Sequence, residues 1–114
     1  MQIFPRSWDT QMKVDFLQRK IIVNSILYYE LNFSTISDSE FDSLCKQLVE
    51  LQKTIDISST QYGYAFHDFD GSTGFDLYHR LTDHDKRYLY NIALLATDKS
   101  ATEQKRKKKK GGLF

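Results

Sequence analysis

Cysteine and proline are nearly absent from this sequence, which has one of each among 114 residues. The single cysteine, Cys45, excludes an intramolecular disulfide and favours a reducing compartment, where we expect it to be a buried structural thiol. No apolar run approaches the ~18 residues of a membrane-spanning helix, and Met1–Arg6 lacks the basic-then-apolar pattern of a leader. We therefore expect a cytoplasmic protein without a membrane partner.

Positive charge is also scarce outside one segment. Six of the sixteen basic residues form the run Lys105–Lys110, which leaves ten to balance fifteen acidic residues in the rest of the chain. Because phosphate neutralisation dominates non-specific nucleic-acid binding, only this C-terminal run has the charge for it. A chain of this length, with 40% hydrophobic residues, has room for one small domain with a packed core.

The spacing of apolar residues predicts a mainly α fold. A long first helix is expected from Asp9 to about Leu31, capped by Ser7 or Asp9. Its inward side chains are predicted to be Met12, Phe16, Leu17, Ile21, Val23, Leu27, Tyr28 and Leu31.

A second helix begins with a capping box, in which Ser37 caps the helix and Glu40 reaches back to it. Its apolar face comprises Phe41, Leu44, Cys45, Leu48, Leu51 and Ile55. Because the connection between the two helices is short, they are predicted to form an antiparallel helical hairpin.

The remaining residues are expected to add one or two further helices. Residues 57–74 are predicted to be an ordered loop packed on the hairpin, although their aromatic residues alternate as in a short strand. A helical turn is expected at 75–81. Thr82 then begins a last helix over 86–97, whose inward residues are predicted to be Tyr88, Leu89, Ile92 and Leu95.

Two carboxylates on the second helix form a candidate binding feature. Asp38 and Asp42 are four residues apart, so both lie on one face of the first turns, with Phe41 on an adjoining strip. They could face a shared ligand. Acidic residues are also favoured at a helix start by the helix dipole, which explains them without any ligand.

Two segments, Ile26–Glu30 and Ile36–Leu44, resemble the N-terminal helical module of bacterial NAD-dependent DNA ligases. That family has Tyr followed by His or Tyr, then the pattern Ile-(Ser/Pro)-Asp-Ala-Glu-Tyr-Asp, and the resemblance continues through Leu48–Leu51. About a quarter of the chain is covered. In those ligases the module closes over the nicotinamide mononucleotide (NMN) half of NAD.

The resemblance implies a cofactor site for NMN or NAD. The residues at the matching positions are Tyr28, Tyr29, Asp38, Phe41 and Asp42. Aromatic rings can stack on nicotinamide, and carboxylates can accept hydrogen bonds from ribose hydroxyls. Phe41 stands where the family has Tyr, which removes a hydroxyl. Tyr29 stands where some ligases have His, which removes a phosphate contact.

The resemblance does not extend to the ligation chemistry. Ligases form an adenylate on the lysine of Lys-x-Asp-Gly, and the similar string here, Asp68–Gly71, has no lysine. We therefore expect no catalytic residues and no enzyme activity. The segment Phe69–Tyr78 is similar to short stand-alone ligase-related proteins of phages and mobile elements, so a phage or mobile-element origin is expected.

Other residues suggest no metal site. The acidic residues around Gly71 lack the distal Glu of a calcium loop, and the three histidines have no partners at zinc spacing. Beyond a domain at 1–98, residues 99–114 are predicted to be a disordered, flexible basic tail. The candidate contacts of this tail with nucleic acid or a protein partner are Lys105, Arg106, Lys107, Lys108, Lys109, Lys110, Leu113 and Phe114.

Three functions remain open from the sequence. The first is a non-catalytic adaptor that keeps the hairpin of the ligase module and engages a protein partner, with its tail on nucleic acid or on that partner. The second is a binder of NMN or NAD. The third is a small phage virion or assembly component. The sequence does not distinguish among them.

Overall fold

Two long helices joined by a short connection form the centre of the fold. The computed structural model describes residues 2–71 and 76–108, and side chains through residue 98. Helix α1 spans Thr10–Ser25 and helix α2 spans Asp38–Gln52. The Gln18 amide in mid-α1 donates to the Gln52 side chain at the end of α2 (3.2 Å). The two helices are therefore antiparallel, which confirms the predicted hairpin.

The other described elements are also helical. Single 3-10 turns occur at Ile57–Ser59 and Tyr78–Arg80, a short helix α3 spans Gly63–Phe66, and a long helix α4 spans Asp83–Lys108. Helix α4 packs against α1 and against the residues that follow α1. Within the described ranges no strand occurs, so the predicted mainly α class is confirmed.

Asp9 and Ser37 cap the starts of α1 and α2, as predicted. The Asp9 carboxylate accepts a hydrogen bond from the Met12 amide (2.9 Å), and the Ser37 hydroxyl accepts one from the Glu40 amide (3.1 Å). Each bond satisfies one of the amides that a helix start leaves without an intrahelical partner. Of the two caps proposed for α1, the structure uses Asp9.

The buried face of α1 differs in part from the predicted one. The predicted inward residues Met12 and Tyr28 are wrong, because they are 49% and 53% exposed. The buried face instead comprises Val14, Leu17, Gln18, Ile21, Ile22 and Ser25, at helical spacing. Leu17 and Ile21 were predicted to face inward, and the structure buries both. The polar members Gln18 and Ser25 were not predicted, because an apolar pattern does not identify polar residues.

One of these polar residues, Gln18, joins three parts of the molecule. Its amide donates to the Thr60 hydroxyl (3.0 Å) as well as to Gln52, and its carbonyl accepts from the Tyr62 backbone amide (3.3 Å). Gln18 has no exposed surface. Its hydrogen bonds offset the cost of burying a polar side chain and fix the segment after α2 against α1.

The segment predicted as an ordered loop contains helical turns instead. Tyr62, Ala65 and Phe66 are buried, and their spacing of three and four is that of a helix rather than of a strand. The first residue of this helix, Gly63, must be glycine, because a Cβ there would lie 1.8 Å from the Ile57 carbonyl oxygen. The aromatic residues obscured this short helix in the sequence.

Helix α4 is longer than predicted, and different residues form part of its buried face. It begins at Asp83 and continues past the expected end near residue 97 to Lys108. Leu89 is buried as predicted, but Tyr88 and Leu95 are wrongly predicted, with 48% and 66% of their surface exposed. Ala93, four residues after Leu89, is buried instead, so a smaller side chain than predicted lies on the buried face of α4.

The predicted boundary at residue 98 does not coincide with the end of a helix. Residues 105–108 lie in the last turns of α4, while 109–114 lie outside the described residues. The flexible tail and its contacts therefore stay predictions. None of the helices described is long and apolar enough to cross a membrane.

Candidate functional site

A cleft of about 250 Å³ lies between the end of α1, the connection and the start of α2. All of the residues singled out by the ligase resemblance line it: Tyr28, Tyr29, Asp38, Phe41 and Asp42. The other lining residues are Asn24, Ser34, Ile36, Ser37, Cys45 and Gly71. Residues from two helices and two connecting segments thus share one concave surface.

The aromatic wall of the cleft comes from a change in helical winding. After α1 the chain makes one π-helical turn, Ile26–Glu30, closed by the Leu31 amide bonding the Ile26 carbonyl five residues back (3.1 Å). Buried Ile26 and Leu27 anchor this turn, while the rings of Tyr28 and Tyr29 remain exposed. The two rings meet edge to face, with centroids 4.9 Å apart and an interplanar angle of 82°.

The acidic wall comes from the first turns of α2. The spacing of four between Asp38 and Asp42 places both carboxylates on the cleft, as predicted, and partly buried Phe41 packs between the cleft and the core. Asp42 also pairs with Lys46 one turn later (2.9 Å), and both side chains are largely exposed. Such a surface pair contributes little to stability. Because the Asp42 side chain is 53% exposed, a ligand can reach it.

The far wall includes a glycine that the motif did not predict. Gly71 is buried with a φ of +85°, and a Cβ there would lie 3.2 Å from a Val49 methyl group on α2. A side chain would therefore be strained in its backbone and crowded against the helix. The sequence carried a signal for this turn in Asp70-Gly71, but not for its position in the cleft.

The partly exposed Arg80 bonds residues on both sides of the segment that carries Gly71. The Arg80 guanidinium pairs with both Asp68 and Asp76, the latter at 2.9 Å, and also donates to the Ala65 carbonyl (3.4 Å). These contacts tie both sides of the segment to the turn that precedes α4. Hydrogen bonding to Arg80 is the main cause that lowers the pKa of Asp68.

The floor of the cleft includes the single cysteine. Cys45 is buried as predicted, with 1% of its surface exposed. Burial, and secondly the charge of Asp42, raises the pKa of its thiol to about 12. A thiol that is protonated at neutral pH is a poor nucleophile, so Cys45 contributes packing rather than chemistry.

The described titratable groups form no candidate metal site. In the part of the chain that the structure describes, no group of three or more His, Cys, Asp and Glu side chains could hold a metal ion. His79 faces Glu30 at 3.3 Å, and the His67 ring lies 3.2 Å from the Tyr64 carbonyl oxygen. Each of these contacts joins one histidine to one other residue.

Comparison with known proteins supports the resemblance over part of the chain. The chain is 44% identical over 43 residues to a DNA ligase of Endomicrobium trichonymphae and 46% identical over 48 residues to a DNA ligase of Natranaerobius thermophilus. These matches cover 38% and 42% of this chain, but 6% and 7% of the ligases. No model of a known protein family matches the chain, and no solved structure matches it. Two fifths of the chain is thus a ligase-related module.

Proposed function

We propose that this protein is a non-catalytic nucleotide-binding module that holds the nicotinamide nucleoside part of NMN or NAD in the cleft. One observation carries the proposal: the five positions implied by the ligase resemblance, which lie up to fourteen residues apart in sequence, all line the same cleft. If Asp38 and Asp42 were present only because acidic residues favour a helix start, Tyr28 and Tyr29 would not be expected to line the same cleft. Tyr28 and Tyr29 are 53% and 40% exposed, so both present ring surface to solvent.

The chemistry of the cleft suits this ligand. Tyr28 and Tyr29 meet edge to face, so a ligand ring can stack on the exposed face of one of them and contact the edge of the other. Asp38 and Asp42 offer acceptors for the two ribose hydroxyls, and hydrogen bonds to a charged acceptor are the stronger kind. Phe41 in place of the family's Tyr keeps the ring but offers no hydroxyl, so we expect weaker binding than a Tyr would give.

The first experiment is isothermal titration of the full chain with NMN and with NAD. We expect binding that is weakened at least about tenfold in Asp38→Ala, since a hydrogen bond to a charged group contributes about 1.5–3 kcal/mol. Phe41→Tyr should strengthen binding. Glu50→Ala is the matched control, because Glu50 lies on α2 outside the cleft. Absence of heat at millimolar ligand with folded protein would refute the proposal.

The non-catalytic part of the proposal is tested separately. Its support is the absence of lysine from Asp68–Gly71, the string that resembles the adenylation motif. Incubation with NAD labelled in its adenylate, followed by a denaturing gel, should leave the protein unlabelled. A covalently labelled band would show adenylyl transfer and contradict this part.

A second candidate is the adaptor that engages a protein partner. The exposed apolar side chains of α4, Tyr88, Leu94 and Leu95, favour it, because surfaces of this kind on a helix are typical of protein contacts. A partner captured by the wild type but not by Leu95→Lys, and still captured by Asp38→Ala, would support the adaptor independently of the nucleotide. The phage origin and the virion role stay predictions.

A further inference from the structure

A second cavity, of about 310 Å³, lies beside α1 and is separate from the cleft. The chain before α1, one face of α1 and the segment after α2 form it. Its lining residues are Trp8, Met12, Asp15, Phe16, Arg19 and Gln61, none of which lines the cleft. The cavity has room for a large side chain of a partner.

The walls of this cavity are mostly apolar. The rings of Trp8 and Phe16 are in edge contact, with centroids 5.6 Å apart, and Phe4 packs against both. Met12, in the same lining, is 49% exposed. Aromatic residues, Met and Arg are the types enriched in protein interfaces, and a flexible Met adapts to the shape of what it contacts. The cavity therefore has the composition of a protein-binding surface.

The chain around this cavity is basic, in contrast to the residues that follow. Residues 1–20 carry four basic and two acidic side chains, whereas residues 21–98 carry five basic and twelve acidic ones. Both aspartates of the first segment, Asp9 and Asp15, accept hydrogen bonds from backbone amides. None of its four basic side chains forms an ion pair within the part of the chain that the structure describes. Their positive charge is therefore available to an acidic partner.

Arg19 is placed to use this charge, because its side chain is exposed and lines the cavity. A guanidinium group can bind a carboxylate through two parallel hydrogen bonds. The ammonium groups of Lys13 and Lys20 lie over the rings of Phe4 and Phe16, 5.9 and 5.6 Å from the ring centroids. They add positive charge beside the aromatic walls. An apolar side chain with carboxylates next to it matches both features.

A nucleic acid matches this surface less well. Base stacking needs open ring faces, but lysines lie over the rings of Phe4 and Phe16, and Trp8 packs against both. Phosphates would also meet the Asp15 carboxylate in the lining and the acidic excess of residues 21–98. Binding that depends on many phosphate contacts is disfavoured by such charge.

We propose that this cavity is a docking site for an acidic segment of another protein. The segment places one apolar side chain among Trp8, Met12 and Phe16 and a carboxylate on Arg19. The observations that carry this inference are the apolar lining, the exposed Met12 and the unpaired basic side chains around it. It depends neither on nucleotide binding in the cleft nor on the exposed side chains of α4.

Trp8 is the one tryptophan of the chain, so its fluorescence reports on this cavity. The full chain is titrated with six-residue peptides that have leucine and phenylalanine at the centre and two glutamates on each side. Matched peptides carry lysines in place of the glutamates, or serines at the centre. We expect a saturable change in Trp8 emission with the first peptide, and binding at least about tenfold weaker for both matched peptides.

Two variants test the geometry. Arg19→Glu should weaken binding of the acidic peptide at least about tenfold, and Met12→Glu, which places a carboxylate in the lining, should also weaken it. Arg87→Glu is the matched control, because Arg87 is an exposed basic residue of α4 outside the lining. Asp38→Ala should bind the peptide as the wild type does, which separates this site from the nucleotide cleft. Circular dichroism confirms that each variant is folded.

Three results would overturn the inference. The first is no change in emission at millimolar acidic peptide with folded protein. The second is equal binding of the acidic and lysine peptides, or unchanged binding in Arg19→Glu. The third is tighter binding of a thymidine oligonucleotide than of the acidic peptide at the same salt concentration, which would assign the basic surface to nucleic acid instead. None of these results bears on nucleotide binding in the cleft.

Discussion

Replacing Gln18 by leucine should destabilise the protein although leucine is the more apolar residue. Gln18 has no exposed surface, and its carbonyl is the acceptor for the buried amide of Tyr62 (3.3 Å). Leucine fills a similar volume but leaves that amide without an acceptor. An unsatisfied buried donor costs about 1–3 kcal/mol.

The loss of the other two hydrogen bonds of Gln18, to Thr60 and Gln52, should cost less free energy. The Thr60 hydroxyl still donates to the Ile57 carbonyl (2.5 Å), and Gln52 is only partly buried, so water can replace its bond. We therefore expect the free energy of unfolding to fall by about 1–3 kcal/mol. For a domain of this size each kcal/mol lowers Tm by about 4–8 °C.

Urea unfolding followed by circular dichroism measures this change, and Gln11→Leu is the matched control. Gln11 lies on the same helix and also bonds the segment after α2, through the Ser59 carbonyl (3.3 Å), but it is exposed. Its replacement should change stability by less than about 0.5 kcal/mol. Equal free energies of unfolding for Gln18→Leu and Gln11→Leu would contradict this reasoning. They would show that leaving the buried Tyr62 amide without an acceptor does not destabilise the protein.

Three further predictions concern single residues. Gly63→Ala should destabilise the fold by more than about 2 kcal/mol, measured by urea unfolding, because its Cβ would overlap the Ile57 carbonyl 1.8 Å away; wild-type stability would contradict the predicted overlap. With a thiol pKa of about 12, Cys45 should resist alkylation at pH 8 in the native state and react in urea, and rapid native labelling would show that it is accessible. The lowered pKa of Asp68 means that its pairing with Arg80 stabilises the fold above about pH 4, the ordinary aspartate range, and is lost as pH falls further. Asp68→Asn should therefore reduce the loss of stability on acidification, and an unchanged acid unfolding curve would contradict this.

The site was more predictable from the sequence than its surroundings. The spacing of Asp38 and Asp42 fixes their common face once the helix start at Ser37 is recognised, and short-range capping chemistry identifies that start. The same is true of the hairpin, because a short connection leaves few alternatives. What the sequence could not supply was the contribution of distant segments, such as Gly71, whose position depends on the pairing of Arg80 with carboxylates on both sides of it.

The errors along the helices have a common physical origin. Periodicity identifies a buried face only while the buried residues are apolar, and α1 buries Gln18 and Ser25 with their hydrogen bonds satisfied inside the fold. On α4 the pattern favoured the large side chains Tyr88 and Leu95, whereas the buried residues are Leu89 and Ala93. The size of an apolar side chain therefore did not identify the buried face of this helix.

The π-helical turn Ile26–Glu30 has an evolutionary consequence. A turn closed five residues back is equivalent to one residue inserted into an α-helix, and each residue of an α-helix rotates the chain by about 100°. Deleting one residue there would restore regular winding and swing the tyrosine pair away from α2. The cleft could thus have arisen, or could be lost, through a single-codon insertion or deletion, with every lining side chain unchanged.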